Sequence, residues 1–287
     1  MKIGVFGNEY HAGKQNFIQA LFDQLKERNA CLWVEKQFYR SLLQTFAPKI
    51  TGLIHRDSFP LDMVFSLGGD GTFLRTAAWV GRQPIPVLGI NTGRLGFLAD
   101  ISPSDIEKAV DEIFRGEYSL EEKSLLQLEA PMPYTHPYAL NEIAVLKRDT
   151  ASMIVISVYL NDEFLTEYLA DGLLLSTPTG STAYNLSVNG PIILSQSESF
   201  VLSPVAPHSL NMRPLVIPDH YKIRLQVESR QKNFLVSLDG RSTAFLSGSE
   251  LYISKADFTL KVVKCLQQNF YDTLRKKLLW GADVRID

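Results

Sequence analysis

The first 120 residues alternate short apolar runs with amphipathic stretches of helical period. Residues 2–7 predict a buried first strand ending at Gly7-Asn8, and Phe17, Ile18, Leu21, Phe22 and Leu25 follow at helical spacing. Residues 31–34 predict a second strand, and a helix through Leu42, Leu43 and Phe46 is closed by Pro48. Met63-Val64-Phe65 predicts a strand, residues 73–79 a helix, and residues 85–90 another buried strand. A further helix takes Ser102 as N-cap and Pro103 at its first position, with Asp105 in the first turn. Ile106, Val110, Ile113 and Phe114 form its apolar face, and Gly116 ends it. This alternation argues for a parallel sheet with helices on its faces. Ligands of such sheets sit outside the carboxyl ends of the strands, where the loops 68–72 and 91–96 fall.

Beyond about residue 120 the period changes to that of strands, over 153–160, 164–169, 173–176, 222–227, 234–238 and 258–263. In the fourth, Ile223, Leu225 and Val227 alternate with Lys222, Arg224, Gln226 and Glu228, the pattern of a half-exposed strand. Asn161-Asp162 suits a hairpin turn. The tail from Tyr271 to Leu279 regains a helical pattern and is expected to pack on the first domain. The fold class is therefore α/β, with a Rossmann-like amino-terminal domain over 1–120 and a β-rich, all-β carboxy-terminal domain over 121–267. The helix at about 268–287 rejoins the first domain. A length of 287 residues fits two domains.

Composition narrows the class. The chain is 45% apolar and 21% charged, as in ordinary globular proteins, and a net charge of -2 offers no basic footprint for nucleic acid or an anionic membrane. No apolar run approaches the ~20 residues of a membrane helix, and the amino terminus does not read as a signal peptide. Cys31 and Cys265 have no metal spacing and read as buried free thiols. A cytoplasmic enzyme fits all of this.

Gly68-Gly69-Asp70-Gly71-Thr72 lies where a strand turns into a helix. Three glycines strip the backbone of side chains at a point where free N–H groups and the helix dipole favour an anion. A carboxylate there is electrostatically awkward, so Asp70 is expected to face a hydroxyl or a metal beside the phosphates. A second polar stretch, Ser176-Thr177-Pro178-Thr179-Gly180-Ser181-Thr182-Ala183-Tyr184-Asn185, interrupts the strands. Its hydroxyls can cap a short helix over 181–188, or bind ribose or phosphate. Asn141-Glu142 sits in an apolar run, where both side chains can accept from ribose hydroxyls or face outward at a strand end. Asp171-Gly172 ends a strand, and His208 stands alone in a proline-bounded loop. The P-loop lysine, the G-x-G-x-x-G fingerprint, the G-x-S-x-G elbow and zinc patterns are all absent from the sequence.

Taken together these motifs resemble the bacterial NAD kinases. The resemblance rests on the 68–72 motif, on Asn91-Thr92-Gly93-Arg94-Leu95-Gly96-Phe97-Leu98, on Asn141-Glu142, and on Asp171-Gly172 leading into 177–184. Pro207-His208-Ser209-Leu210 and Arg213-Pro214-Leu215 add to it, so it spans about residues 3 to 240. The glycine motif alone is shared with phosphofructokinases and lipid kinases; with 177–184 it is highly specific.

The resemblance implies transfer of the ATP γ-phosphoryl to the 2′-hydroxyl on the adenosine ribose of NAD, giving NADP. It implies that NAD lies in the cleft between the domains, a divalent ion (Mg²⁺) on the ATP phosphates, and a homo-oligomer, a tetramer or a dimer, with some NAD contacts crossing between subunits. Asp70 would be the proton acceptor, Gly71 would approach the ligand, Arg75 would hold phosphate charge and Phe97 would line the adenine pocket. Asn141 and Glu142 would bind ribose and Asp171 a base or amide edge. Thr182, Ala183, Tyr184, Asn185, Leu186 and Ser187 would supply the remaining NAD contacts. Ser152, Leu169 and Arg241 are further candidates. Leu169 stands where many members carry an arginine, whose charge Arg148 could replace, and Arg241 stands where others have glutamine. Two other readings remain, a sugar or lipid kinase with the same glycine motif and a non-catalytic NAD-binding protein.

Overall fold

Five apolar runs of the amino-terminal half pair into a parallel sheet: β1 (Lys2–Gly7), β2 (Cys31–Glu35), β3 (Gly52–Ile54), β4 (Met63–Leu67) and β5 (Val87–Ile90). Their order is β5-β4-β1-β2-β3, and each neighbouring pair is parallel. Parallel pairing demands crossover connections. The helices α1 (Gln15–Glu27), α2 (Lys36–Leu42), α3 (Asp70–Val80) and α4 (Ile106–Arg115) lie in sequence between or just after these strands. Every residue of β4 and β5 is buried, which is why both read as unbroken apolar runs. β1 lies between β2 and β4, so the chain reverses its direction of travel across the sheet beside β1. The carboxyl ends of β1 and β4 therefore flank a topological switch point.

The computed structural model describes residues 1–8, 15–55, 60–93, 96–131, 135–148, 152–266 and 269–279. Two compact units emerge, Met1–Glu122 with Leu260–Asp287, and Lys123–Thr259. The strand β6 (Tyr118–Glu129) carries the chain into the second unit. There follow β7 (Tyr138–Ala139), β8 (Glu142–Lys147), β9 (Ile154–Leu160), β10 (Glu163–Ala170) and β11 (Gly172–Ser176). After the single-turn helix α5 (Tyr184–Ser187) come β12 (Ser199–Val205), β13 (Leu215–Pro218), β14 (Ile223–Ser229), β15 (Asn233–Leu238) and β16 (Arg241–Leu246). β17 (Glu250–Cys265) then leads back to the first unit and to α6 (Phe270–Leu278).

Within the second unit β13-β12-β11-β8-β15-β16 form one antiparallel sheet and β10-β9-β14-β17 another. Val145, Phe200 and Phe234 from the first meet Ile156, Leu225 and Ile253 from the second in one core, the packing of a sandwich. Asn161 and Asp162 both take positive φ (50° and 68°), as the two-residue hairpin between β9 and β10 requires.

Several expectations need correction. The helix predicted through Phe46 ends at Leu42, and Phe46 packs on Phe22 from the turn beyond, with ring centroids 6.1 Å apart. Ser102 makes no side-chain cap bond; its hydroxyl donates to the Asp105 carboxylate at 2.5 Å, and a 3₁₀ turn Pro103–Asp105 precedes α4. Cys31 is exposed at the start of β2, whereas Cys265 is buried, and both are free thiols. The strand expected at 258–263 is the end of a 16-residue strand. Among the described residues no helix is long and apolar enough to cross a membrane.

Candidate functional site

Asp70 is the first residue of α3, after Gly69, whose backbone caps the helix in an extended conformation without a side-chain bond. Its carboxylate does not stand free. Oδ2 accepts from the Phe97 N–H at 3.0 Å, and Oδ1 accepts from the N–H groups of Leu98 and Ala99 at 3.0 and 3.1 Å. Asp70 thus ties the second glycine-containing loop to the first. The contact is close enough to dictate glycine at position 96, where a Cβ would lie 2.0 Å from Asp70 Oδ1. At Gly71 a Cβ would meet nothing within 4 Å, so open space flanks the helix start there. Arg75, one turn on, donates to the Gly7 carbonyl at 2.6 Å. Phe97 is half-buried, 6.3 Å from the Phe270 ring of α6. Lys277, also on α6, sets its Nζ 4.4 Å from the centre of the Phe97 ring and 3.4 Å from Asp70 Oδ2. Arg94 and Leu95 of the 91–98 motif lie outside the described residues.

In the second unit the structure brings three distant motifs together. Asn141 and Glu142 occupy the step into β8, next to β11 and β15. The Thr177 hydroxyl donates to the Leu140 carbonyl at 2.6 Å, the Thr177 N–H donates to the Asn141 carbonyl at 2.9 Å, and the Gly180 N–H donates to Thr177 Oγ1 at 3.1 Å. A Cβ on Gly180 would lie 2.0 Å from the Asn141 carbonyl oxygen, so only glycine lets the two segments touch. From the turn after β15, Asp239 accepts from the N–H groups of Leu140, Asn141 and Glu142 at 2.7, 2.8 and 3.1 Å. Asp239 therefore does for this step what Asp70 does for the 96–99 loop.

These bonds satisfy the backbone and leave side chains unsatisfied. Asn141 Oδ1, Glu142 Oε2 and Ser176 Oγ are buried without hydrogen-bond partners, and Ser176 sits opposite Glu142 across the β8–β11 pair. Each such orphan costs on the order of 1–3 kcal/mol. Burial, reinforced by the neighbouring Asp239 carboxylate and opposed by a hydrogen bond from the Tyr184 backbone, pushes Glu142 up to about 7. Burial also raises Asp239 above the ordinary carboxylate range, against the pull of its three amide donors and Arg241.

The remaining candidates divide. Thr182, Ala183, Tyr184, Leu186 and Ser187 are partly or fully exposed on the 3₁₀ turn Thr179–Thr182 and on α5. Asn185 faces inward: its Nδ2 donates to the Ser181 and Pro191 carbonyls, and its Oδ1 accepts from the Ser203 hydroxyl at 2.6 Å. Its side chain is spent on holding the turn. Asp171 is ion-paired with Lys147 at 2.6 Å. Leu169 and Ser152 line one cavity of about 690 Å³ with Glu228 and Arg230. The His208 N–H donates to the Leu169 carbonyl. Arg148 neighbours Lys232 and Asn233. Arg241 donates to the carbonyls of Leu238, His136 and Tyr138, which makes it a brace for the Asp239 turn. Sequence reasoning overlooked Asp239 as an organiser; an Asp-Gly turn directly after an apolar strand was the available signal.

Among the described residues no group of three or more His, Cys, Asp or Glu side chains could hold a metal ion. Both oxygens of Asp70 already accept amide hydrogens.

Two family models match the chain, the ATP-NAD kinase N-terminal domain over residues 3–118 and the ATP-NAD kinase C-terminal domain over residues 140–265. An NAD kinase of Bacteroides fragilis is 50% identical over 290 residues, covering 100% of each chain. One from Porphyromonas gingivalis is 46% identical over 288 residues, covering 99% of each. Among solved structures, a yeast NADH kinase complexed with NADH shares the fold at a TM-score of 0.91 and 23% identity, covering 100% of this chain and 89% of that one. An NAD kinase from Archaeoglobus fulgidus in complex with ATP gives a TM-score of 0.75 at 26% identity, with coverages of 96% and 99%.

Proposed function

The chain belongs to the NAD kinase family and is a kinase that phosphorylates NAD to NADP with ATP, and we propose that Asp70 receives the proton while Asn141 and Glu142 hold the ribose. The observation that carries this reading is the trio of buried, unpartnered oxygens on Asn141, Glu142 and Ser176. A ribose offers the O–H donors that such acceptors lack. Phosphoryl transfer asks the protein mainly for positioning and charge neutralisation. The ribose oxygen bonds the γ-phosphorus as the bond to the β-phosphate oxygen breaks, and ADP leaves with that electron pair. The hydroxyl proton passes to the Asp70 carboxylate late in the transfer, when the oxygen has become acidic.

The positive end of α3, capped by Gly69 without a side-chain bond, and the open space at Gly71 support an approach of phosphate or ribose there. We assign Arg75 to phosphate charge, Phe97 to the adenine face and Asp171 to a base or amide edge. Thr182, Ala183, Tyr184, Leu186 and Ser187 supply further NAD contacts, with Asn185 supporting them from beneath. Ser152 and Leu169 are assigned to the same ligand through their shared cavity. The divalent cation, Mg²⁺, enters with the ATP phosphates as part of the substrate. The working protein is a cytoplasmic homotetramer.

Incubation with NAD, ATP and Mg²⁺ is expected to yield NADP. Asp70→Asn is expected to lower kcat by roughly 10²-fold or more, and to loosen the 97–99 loop because its NH₂ is turned toward a backbone donor. A variant with near-normal kcat would show that Asp70 is not the proton acceptor.

A further inference from the structure

The site lacks the lysine that a P-loop would bring, which leaves Arg75, with one of its five donors on the Gly7 carbonyl, to meet the phosphate charge. A cation does reach Asp70, from the far end of the chain. Helix α6 is started by Asn269, whose side chain accepts from the Asp272 N–H at 2.9 Å. Phe270 anchors it beside Phe97. Its last turn carries Arg275, Lys276 and Lys277. Arg275 is paired with Asp272, and Lys276 lines a cavity with Asp100, Asp105 and Glu112. Lys277 alone of the three is directed at Asp70.

We propose that Lys277 is a catalytic cation of the phosphoryl-transfer site, delivered by the carboxy-terminal helix to the γ-phosphate. The inference rests on the assignment of Asp70 as proton acceptor. An ammonium has three donors, and the contact with Asp70 Oδ2 uses one of them at a long 3.4 Å. The ammonium lies over the Phe97 ring, which fixes the direction of approach. The same ammonium lies beside the Asp70 oxygen that must accept a proton. When ATP is bound, the higher negative charge of the γ-phosphoryl oxygens attracts it. Lys277 then donates to a non-bridging γ-oxygen, and Asp70 Oδ2, which keeps the Phe97 N–H on one lone pair, turns the other to the ribose proton. Lys277 transfers no proton itself. It neutralises charge on the phosphoryl group as the bond to the β-phosphate oxygen breaks.

The test is steady-state kinetics of Lys277→Met, Lys277→Arg and Asp70→Asn, with ATP and NAD each varied. Methionine keeps an unbranched apolar side chain at this position and removes the charge. Lys277→Met is expected to lower kcat by about tenfold or more while the KM for NAD changes by less than about twofold. Lys277→Arg is expected to keep kcat within about threefold of the parent, because it restores the charge. A Lys277→Met kcat within about twofold of the parent, or equal losses in the Met and Arg variants, would overturn the proposal. If the Met variant does not fold, Lys277→Gln takes its place under the same criteria. Undiminished turnover in Asp70→Asn would instead overturn the Asp70 assignment. A loss there with Lys277→Met unaffected would overturn the role of Lys277 alone.

Discussion

Glu142 and Asp239 are neighbouring carboxylates with opposite wiring. Asp239 is saturated by three amide donors, whereas Glu142 keeps one buried oxygen without a partner. The unpartnered group carries a consequence for stability. Its folded value of about 7 lies above the ordinary 4.5, so between those values the native protein holds more of this proton than the unfolded chain does. Stability from this group is therefore full at pH 4 and falls as pH rises toward 7. Glu142→Gln removes that slope. Urea unfolding at pH 5 and pH 8 is expected to show the parent losing roughly 3 kcal/mol more than the Gln variant between the two. Equal losses would place Glu142 in an ordinary, hydrated setting. Both residues of the Asn141-Glu142 pair were legible in the sequence, because polar side chains in an apolar run demand a reason. That Asn141 is buried, and Glu142 half-buried with one oxygen shut away from water, was not legible, since it depends on β11 and β15 lying to either side.

At the scale of elements, the chain uses one device twice, a carboxylate at the end of a strand-turn gathering the backbone of a distant loop. Asp70 gathers 97–99 and Asp239 gathers 140–142. The glycines that allow the close approaches, Gly96 and Gly180, stand opposite those contacts. Asparagine at 239 can accept with one oxygen and would turn an NH₂ toward a backbone donor. Asp239→Asn is expected to destabilise the fold by about 1–3 kcal/mol and to raise the KM for NAD by about tenfold. Denaturant melts read with initial rates at varied NAD check both. An unchanged KM would mean that the 140–142 step does not depend on this turn. The strands were well forecast where alternation or a buried run was long. They were missed where polar residues or prolines broke the pattern, as in β12, β13 and β16.

At the scale of the molecule, the chain keeps apolar side chains in water. Phe164 is 60% exposed and Leu169 43% exposed on β10, an edge strand, and Leu210 is 88% exposed in the loop beyond β12. A bare edge with apolar side chains is an invitation to pair. These surfaces support the proposed tetramer. Sedimentation velocity is expected to give a single species of four chains at micromolar concentration. A monomer would assign the exposed residues to something other than self-association. The two-unit organisation follows from the change of hydrophobic period near residue 120, together with the return of β17 and α6 to the first unit.

What the sequence determined by itself was local or compositional: the alternation of strand and helix, the change to β structure, and the motifs at 68–72, 141–142 and 177–184. These are written in neighbouring residues, because hydrophobic period and turn chemistry act over a few positions. Which groups satisfy one another was decided by tertiary structure alone. Asp70 meets amides 27 to 29 positions away and a lysine 207 positions away, and Asp239 meets amides 97 to 99 positions away. Hydrogen bonds and ion pairs leave no period in a sequence; they are set only when the strands that carry their ends have found their register.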